Sequence, residues 1–322
     1  MRPSTLIIIT GMSGTGKSST AQELARQYEA NGVPHTWLHE EIPGHPIRDG
    51  EFRMASLETE AGMAANVADM YERWERLVEE IEQSGRVYIM EGCLYQSIIR
   101  YFFNSCFSHH QIMDYFDRVL AILDRLNPTV VLLYRTDVKA SFEKAFAVRG
   151  ERWKNIILDS EADLYFRARP YEGEASVFAM WQEYQQLADA HFASIRGYKI
   201  RLLTADGEWQ RHLRHLTEYM GLSYVPRAVP EVHNPWMYAG RYEATVDGQL
   251  RTLTFKVKDG ALMGELSWWS NMALIPLGNH EFEALSFPIR YSFDPAPPRR
   301  TVRVTETYGW GLSGVLLVEQ SS

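Results

Sequence analysis

Two hydrophobic patterns alternate along the first two thirds of the chain. Short runs of aliphatic and β-branched residues, typical of buried strands, occupy residues 5–10, 34–41, 86–90, 129–135 and 198–204. Between the first two runs, Ala21, Leu24, Ala25 and Tyr28 recur at helical spacing and predict a helix that follows a glycine-rich loop. The same spacing predicts helices over 66–83, 109–126 and 174–196. Asp137 is the expected N-cap of a further helix after the fourth run, and a last helix is expected to end near Gly221.

Strands that alternate with helices predict an α/β fold over residues 1–222, a parallel five-stranded sheet with helices on both faces. Prolines at 226, 230 and 235 mark residues 223–236 as a linker. After the linker, short runs are separated by Asp-Gly turns at 247–248 and 259–260. We therefore expect a second, smaller domain at 237–322, an antiparallel β barrel or sandwich.

The composition excludes several classes of function. Of the 322 residues, 45% are apolar and 23% are charged, which is ordinary for a globular protein. The net charge is −8, whereas a general nucleic-acid binder usually carries a basic face. No apolar run approaches about 18 residues, and the first residues do not resemble a signal peptide. We expect neither nucleic acid nor a membrane as a partner, and a cytoplasmic location.

The loop between the first strand and the first helix carries the most specific signal. From Gly11 to Ser18 it fits the pattern GxxxxGK followed by Ser or Thr, between a strand and a helix as this motif requires. Backbone N–H groups of such a loop wrap a polyphosphate over the positive end of the helix dipole. Lys17 would reach the β- and γ-phosphates, and the Ser18 hydroxyl would complete a Mg²⁺ shell. The predicted nucleotide-binding residues are Gly11, Ser13, Gly14, Thr15, Gly16, Lys17, Ser18 and Ser19.

Charged residues follow the predicted strands, at the edge where sheets of this kind bind ligands. They are Glu40, Glu41 and His45 after the second strand, Glu91 after the third, and Arg149 and Arg152 beyond the fourth. Phosphoryl transfer needs a group that orients or deprotonates the acceptor, a metal ion, and cationic charge on the transferred oxygens. Glu41 or Glu40 suits the first role. Ser18 and Glu91 are suited to bind the metal ion, and Arg149 and Arg152 are suited to supply cationic charge to the transferred oxygens.

These motifs resemble those of P-loop nucleoside and nucleoside-monophosphate kinases, especially thymidylate kinase and the deoxynucleoside kinases. The resemblance rests on the phosphate loop, the Glu-x-Pro turn at 41–43, Glu91 and the Arg-rich stretch at 149–152. The stretch MEGCLYQSIIRYFF is similar to the Glu-Arg-Ser stretch of deoxynucleoside kinases, in which aromatic residues and a basic residue, here Arg100, follow the Glu. Chloramphenicol phosphotransferase, which phosphorylates an alcohol, is similar in scheme.

The resemblance implies a kinase that uses ATP, with GTP as the alternative, and Mg²⁺. It implies that Glu41, with Glu40 as its rival, is the base toward the acceptor hydroxyl. It also implies that Arg149 and Arg152 belong to a lid that closes over ATP and acts on the transferring phosphate.

Two departures from those families bear on the acceptor. Gly92 stands where the deoxynucleoside kinases have Arg, and two glutamates stand where thymidylate kinases carry a basic residue that holds the incoming monophosphate. Carboxylates would repel a phosphorylated acceptor. We therefore expect an acceptor with a free hydroxyl and no phosphate, namely a nucleoside-like compound, a polyol or an antibiotic-like alcohol. The predicted acceptor-binding residues are Glu40, Glu41, His45, Glu91 and Arg100.

Two other functions fit the same residues. One is a nucleoside-monophosphate kinase. The other is an NTP-dependent regulatory ATPase whose β domain binds a partner. That domain carries no evident catalytic cluster, and its aromatic residues suit packing, ligand binding or pairing with a second chain as a homodimer.

Overall fold

A computed structural model describes residues 4–48, 59–105, 107–158, 165, 173–204, 207–266, 269–296, 299–306 and 312–320. The chain forms two compact units. One comprises residues 1–143 and 156–225, and the other comprises residues 144–155 and 226–322.

The first unit alternates strands with helices. Its strands are β1 (Leu6–Thr10), β2 (His35–Leu38), β3 (Val87–Glu91), β4 (Thr129–Tyr134) and β5 (Tyr198–Leu203). The helices of the described chain are α1 (Lys17–Ala30), α2 (Glu60–Ser84), α3 (Gln96–Asn104), α4 (His109–Leu123), α5 (Val138–Arg149), α6 (Glu151–Leu158), α7 (Gly173–Ser194) and α8 (Trp209–Tyr219). The second half of α5 and most of α6 fall in the second unit.

The five strands form one parallel sheet in the order β2-β3-β1-β4-β5. Every residue of β1 is buried, because helices cover both faces of the strand at the centre of the sheet. On one face, Ile7 and Ile9 pack in a single apolar cluster with Leu24 of α1 and Leu216 of α8. The predicted α/β fold with a parallel five-stranded sheet is confirmed.

Four helices differ from the sequence-based expectations, and one of them, α6 (Glu151–Leu158), was not predicted. Helix α2 begins at Glu60, where the Thr59 hydroxyl accepts a hydrogen bond of 3.1 Å from Gly62 N; the apolar stripe begins only at Val67 and concealed this first turn. Helix α3 was not predicted, since its run of apolar residues has no clear helical spacing. The helix expected over 109–126 ends at Leu123 and continues as a 3₁₀ turn.

The second unit contains a closed antiparallel barrel, which confirms the expected small β domain. Its strands are β6 (Gly240–Val246), β7 (Gln249–Lys258), β8 (Ala261–Leu266), β9 (Trp269–Gly278), β10 (Glu281–Ala284), β11 (Ile289–Asp294), β12 (Thr301–Glu306) and β13 (Leu316–Glu319). Pairing of β13 with β6 closes the barrel. Asp247 and Asp259 have positive φ at the two predicted Asp-Gly turns.

Side chains fill the barrel described above. Tyr242, Phe255, Tyr291 and Phe293 are buried inside it and meet edge to face, with ring centroids 5.0 to 5.9 Å apart. A Cβ on Gly264 would already lie 3.3 Å from the Met272 side chain. The interior is therefore a packed core.

Candidate functional site

The glycine-rich loop after β1 turns sharply into α1. Gly11, Gly14 and Gly16 have φ of 144°, 80° and 93°, which side-chain-bearing residues rarely adopt. Within the turn, the Thr15 hydroxyl donates a hydrogen bond of 2.8 Å to the carbonyl oxygen of Met12. The loop thus curves around the N-terminus of α1, where unpaired N–H groups and the helix dipole favour an anion.

At two of these glycines, neighbouring residues leave too little space for a side chain. A Cβ on Gly11 would overlap the carbonyl oxygen of Leu133 in β4 and lie 2.9 Å from Thr15 Oγ1. A Cβ on Gly16 would lie 3.3 Å from the ring of Trp209, the first residue of α8. The loop is therefore held between the end of β4 and the start of α8.

Lys17, Ser18 and Ser19 form the first turn of α1. Lys17 is only 5% exposed, and its ammonium donates a hydrogen bond of 3.4 Å to Met12 O, so it folds back over the loop. Ser13 is buried, and its hydroxyl accepts a hydrogen bond of 3.4 Å from Gln96 Nε2 at the start of α3. Gln96 was not identified from the sequence. Its place five residues after Glu91, in the stretch already singled out, was the signal that could have identified it.

Glu91 ends β3 and is fully buried. Neither of its carboxylate oxygens makes a hydrogen bond with any residue that the structure describes. Burial raises the pKa of Glu91 above its usual range, and the charge of Glu40 raises it further. The Ser18 hydroxyl and the Lys17 ammonium lower the same pKa, although Ser18 lies outside hydrogen-bonding geometry.

Glu40 lies directly beside Glu91 because residue 92 has no side chain. A Cβ on Gly92 would overlap Glu40 Oε2 and lie 3.0 Å from Glu40 Cδ. Glu40 is 7% exposed, and Arg48 Nη1 lies 4.0 Å from its Oε2 and donates to its backbone oxygen. Glu41 is half-buried, and its charge also raises the pKa of Glu91. The phosphate-loop residues and the three predicted carboxylates thus meet at one edge of the sheet.

His39, directly after β2, joins this group and was not identified from the sequence. It is buried, and its Nδ1 accepts a hydrogen bond of 3.1 Å from Glu41 N. An accepting Nδ1 leaves the proton of the neutral ring on Nε2. That nitrogen lies 3.4 Å from Glu91 Oε1. Its position at a strand end, next to two glutamates, was the signal that could have identified it.

His45 lies in the turn that follows, and is 1% exposed. Its Nδ1 accepts hydrogen bonds from the backbone N–H groups of Ile47 at 3.1 Å and Arg48 at 3.2 Å. Its Nε2 lies 3.3 Å from Cys93 Sγ. Burial lowers the pKa of His45 to about 4, and the charge of Arg48 contributes in the same direction. The ring therefore holds the turn in its neutral form.

The predicted cationic residues Arg149 and Arg152 belong to two consecutive helices. Arg149 ends α5, with its guanidinium 4.5 Å from the ring centroid of Trp153, a cation–π contact. Arg152 is exposed on α6. Both belong to the second unit, whereas the phosphate loop belongs to the first. Arg100 lies in α3, and its side chain is outside the described part of the chain.

Side chains that could bind a metal ion are sparse in the described part of the chain. Among the described residues, no three His, Cys, Asp or Glu side chains group closely enough to hold a metal ion by themselves. The oxygens of Glu91, which make no hydrogen bond with the described residues and lie near the Ser18 hydroxyl, are of the type that could hold a hydrated Mg²⁺. None of the described helices has the length and apolar character needed to cross a bilayer.

Similarity to known proteins was found among solved structures. No model of a known protein family and no curated protein sequence matches the chain. The crystal structure of the YorR protein from Bacillus subtilis, in complex with phosphorylated GDP, covers 66% of this chain and 96% of that chain, with 15% identity and a TM-score of 0.34. A similarity at this level carries no argument about fold or function.

Proposed function

We propose that the chain is a phosphotransferase that uses ATP and Mg²⁺ to phosphorylate a hydroxyl group of a small, non-phosphorylated molecule. The observation that carries the proposal is the loop from Gly11 to Ser18. Its three positive-φ glycines curve around the start of α1, and Lys17 is buried against the curve. That geometry supports binding of a polyphosphate chain.

The chain's own residues supply the groups that transfer requires. The loop N–H groups and Lys17 would bind the phosphates, and Ser18 with Glu91 would hold a metal ion, which would supply charge neutralisation there. Glu40 or Glu41 accepts the proton of the acceptor hydroxyl as that oxygen bonds to the transferred phosphorus and the nucleoside diphosphate leaves. Lys17 would supply cationic charge to the transferred oxygens, and the roles that the kinase resemblance implies for Arg149 and Arg152 stay a prediction.

The carboxylates favour an acceptor without a phosphate. Glu40 lies in a buried setting beside Glu91, where the repulsion between its carboxylate and a phosphate dianion is stronger than in water. A hydroxyl compound offers donors to the same oxygens. This argues against a nucleoside-monophosphate kinase.

The test is a metabolite screen for ATP consumption, with the Lys17→Ala protein as the blank. We expect one or more hydroxyl compounds to accelerate ADP formation by wild type at least about tenfold over the rate without acceptor. Acceleration by nucleoside monophosphates but by no hydroxyl compound would overturn the proposed acceptor. Slow hydrolysis that no compound accelerates would instead indicate a regulatory ATPase.

A further inference from the structure

Gln96 connects the helix that follows Glu91 to the phosphate loop. It is the first residue of α3, and its Nε2 donates a hydrogen bond of 3.4 Å to Ser13 Oγ, across 83 residues of sequence. Ser13 is 3% exposed, whereas Gln96 is half-buried. The contact joins two segments of the candidate site, and phosphoryl transfer as described above does not use Gln96.

The backbone on which Gln96 stands is held close to the start of the loop. Gly92 N donates a hydrogen bond of 3.0 Å to the backbone oxygen of Ile9, in the strand from which the loop begins. Tyr95, directly before Gln96, is fully buried, and its hydroxyl shares a hydrogen bond of 2.7 Å with His191 Nδ1 in α7. The residues before Gln96 therefore keep its side chain at the loop.

The polar end of this side chain is only weakly paired. Its hydrogen bond to Ser13 is longer than the usual 2.7–3.2 Å, and it uses one of the two N–H groups that a carboxamide carries. Gln96 Oε1 is buried and makes no hydrogen bond with any described residue. Since buried polar groups are nearly always paired, the weak pairing indicates that Gln96 completes its hydrogen bonds with a ligand of the loop.

The position of Lys17 indicates which part of that ligand lies near Gln96. In this motif the lysine reaches the β- and γ-phosphates of a nucleoside triphosphate. Here the Lys17 ammonium lies 3.4 Å from the backbone oxygen of Met12, the residue directly before Ser13. The loop residue that Gln96 contacts therefore belongs to the terminal end of the phosphate chain.

We propose that Gln96 recognises the terminal phosphate, with its second Nε2–H donating to an oxygen of that group while the first stays on Ser13. The inference rests on the proposed function, because it requires a triphosphate in the loop. A nucleoside diphosphate lacks the terminal oxygens and does not form this hydrogen bond. Gln96 thus favours the triphosphate substrate over the diphosphate product, and the contact is lost once the phosphate has been transferred.

The experiment compares calorimetric titrations with MgADP and with the Mg²⁺ complex of β,γ-imido-ATP, a triphosphate analogue that is not consumed. Gln96→Leu removes both N–H donors. We expect it to bind the analogue about tenfold more weakly than wild type, the effect of losing one hydrogen bond to a charged oxygen, and to bind MgADP as wild type does. Gln83→Leu makes the same change at an exposed position of α2 and should leave both affinities unchanged.

A second variant keeps the shape of the side chain. Gln96→Glu places a carboxylate at the terminal phosphate, and repulsion between the two anions should weaken binding of the analogue more than Gln96→Leu does. Its affinity for MgADP should fall less than its affinity for the analogue, because the diphosphate lacks the nearest charge.

The remaining outcomes separate this inference from the proposed function. If Gln96→Leu weakens both nucleotides equally, Gln96 only supports the loop, and the inference is wrong while nucleotide binding stands. Wild-type affinity of Gln96→Leu for both nucleotides would overturn it in the same way. If folded wild type binds neither MgADP nor the analogue, the proposed function itself is wrong.

Discussion

The carboxylate of Glu40 occupies the space that a side chain at position 92 would fill. A Cβ on Gly92 would overlap Glu40 Oε2 and would lie 3.3 Å from Glu40 Cβ. Gly92 also has a φ of 73°, which few other residues adopt. The contact brings Glu40 next to Glu91, whose pKa rises through burial and the Glu40 charge. A missing side chain therefore determines where the second acidic group of the site lies.

Replacing that glycine tests the role of Glu40 without removing the carboxylate. Gly92→Ala should displace Glu40 and lower acceptor-dependent kcat about 100-fold, the scale of a lost general base, with little change in MgATP affinity. Gly85→Ala is the matched control, because Gly85 also has positive φ but a Cβ there meets nothing within 4 Å. Equal loss of activity in both variants would show that backbone strain, not Glu40, is responsible. Steady-state kinetics and calorimetry make the comparison.

Gly11 should be intolerant of substitution for a different reason. A Cβ there would overlap a backbone oxygen of β4, which cannot move away as a flexible side chain could. We expect Gly11→Ala to lower the free energy of unfolding by about 1–3 kcal/mol more than Gly32→Ala, whose site has a φ of 67° and open space. Urea titrations of both variants measure the difference. Equal stabilities would contradict the close approach of β4 to the loop.

His45 should make stability depend on pH. Its pKa is lowered from 6.5 to about 4 by burial, so the unfolded chain takes up a proton well before the folded protein does. Its contribution is therefore fully present above pH 6.5 and is lost progressively as the pH falls toward 4. The loss at the acid end is about 3 kcal/mol.

The His45 effect is measured by urea unfolding at pH 7, 6 and 5. In His45→Gln, the fall in stability over this range should be smaller than in wild type. His110→Gln, whose ring is 85% exposed, is the control and should fall as wild type does. A fall in His45→Gln as steep as that of wild type would show that other groups carry the pH dependence.

Trp209 should report nucleotide binding. Its half-exposed ring lies beside Gly16 at the start of α1, so a triphosphate in the loop changes its surroundings. We expect MgATP to change the tryptophan fluorescence of wild type and of Trp236→Phe, which removes a ring that is 66% exposed in the second unit. Trp209→Phe should lose that change while calorimetry still detects binding. A signal that persists in Trp209→Phe would place the nucleotide away from this ring.

The sheet and the phosphate loop could be predicted because their signals are local. Five apolar runs gave the strands, and GxxxxGK between a strand and a helix gave the loop around Lys17. The antiparallel domain was predicted from its Asp-Gly turns as a barrel or a sandwich, and the choice between the two was left open. Closure depends on the pairing of β13 with β6, at opposite ends of the domain, and no local pattern encodes that register.

The acceptor side was predicted only in part because it depends on contacts between distant residues. Glu40, Glu41 and Glu91 follow strands, so their convergence was expected. The place of Glu40 against Gly92 depends on a space that only the folded chain shows.

Calorimetric titration of the purified protein with MgATP tests directly whether the loop from Gly11 to Ser18 binds a nucleoside triphosphate. We expect wild type to bind MgATP, and Lys17→Ala, which loses the cation buried against the loop, to bind it at least about tenfold more weakly. Lys199→Ala is the comparison, because Lys199 caps carbonyls at the end of α7 and should leave the affinity unchanged. If folded wild type shows no heat of association with MgATP, the proposed nucleotide binding is wrong.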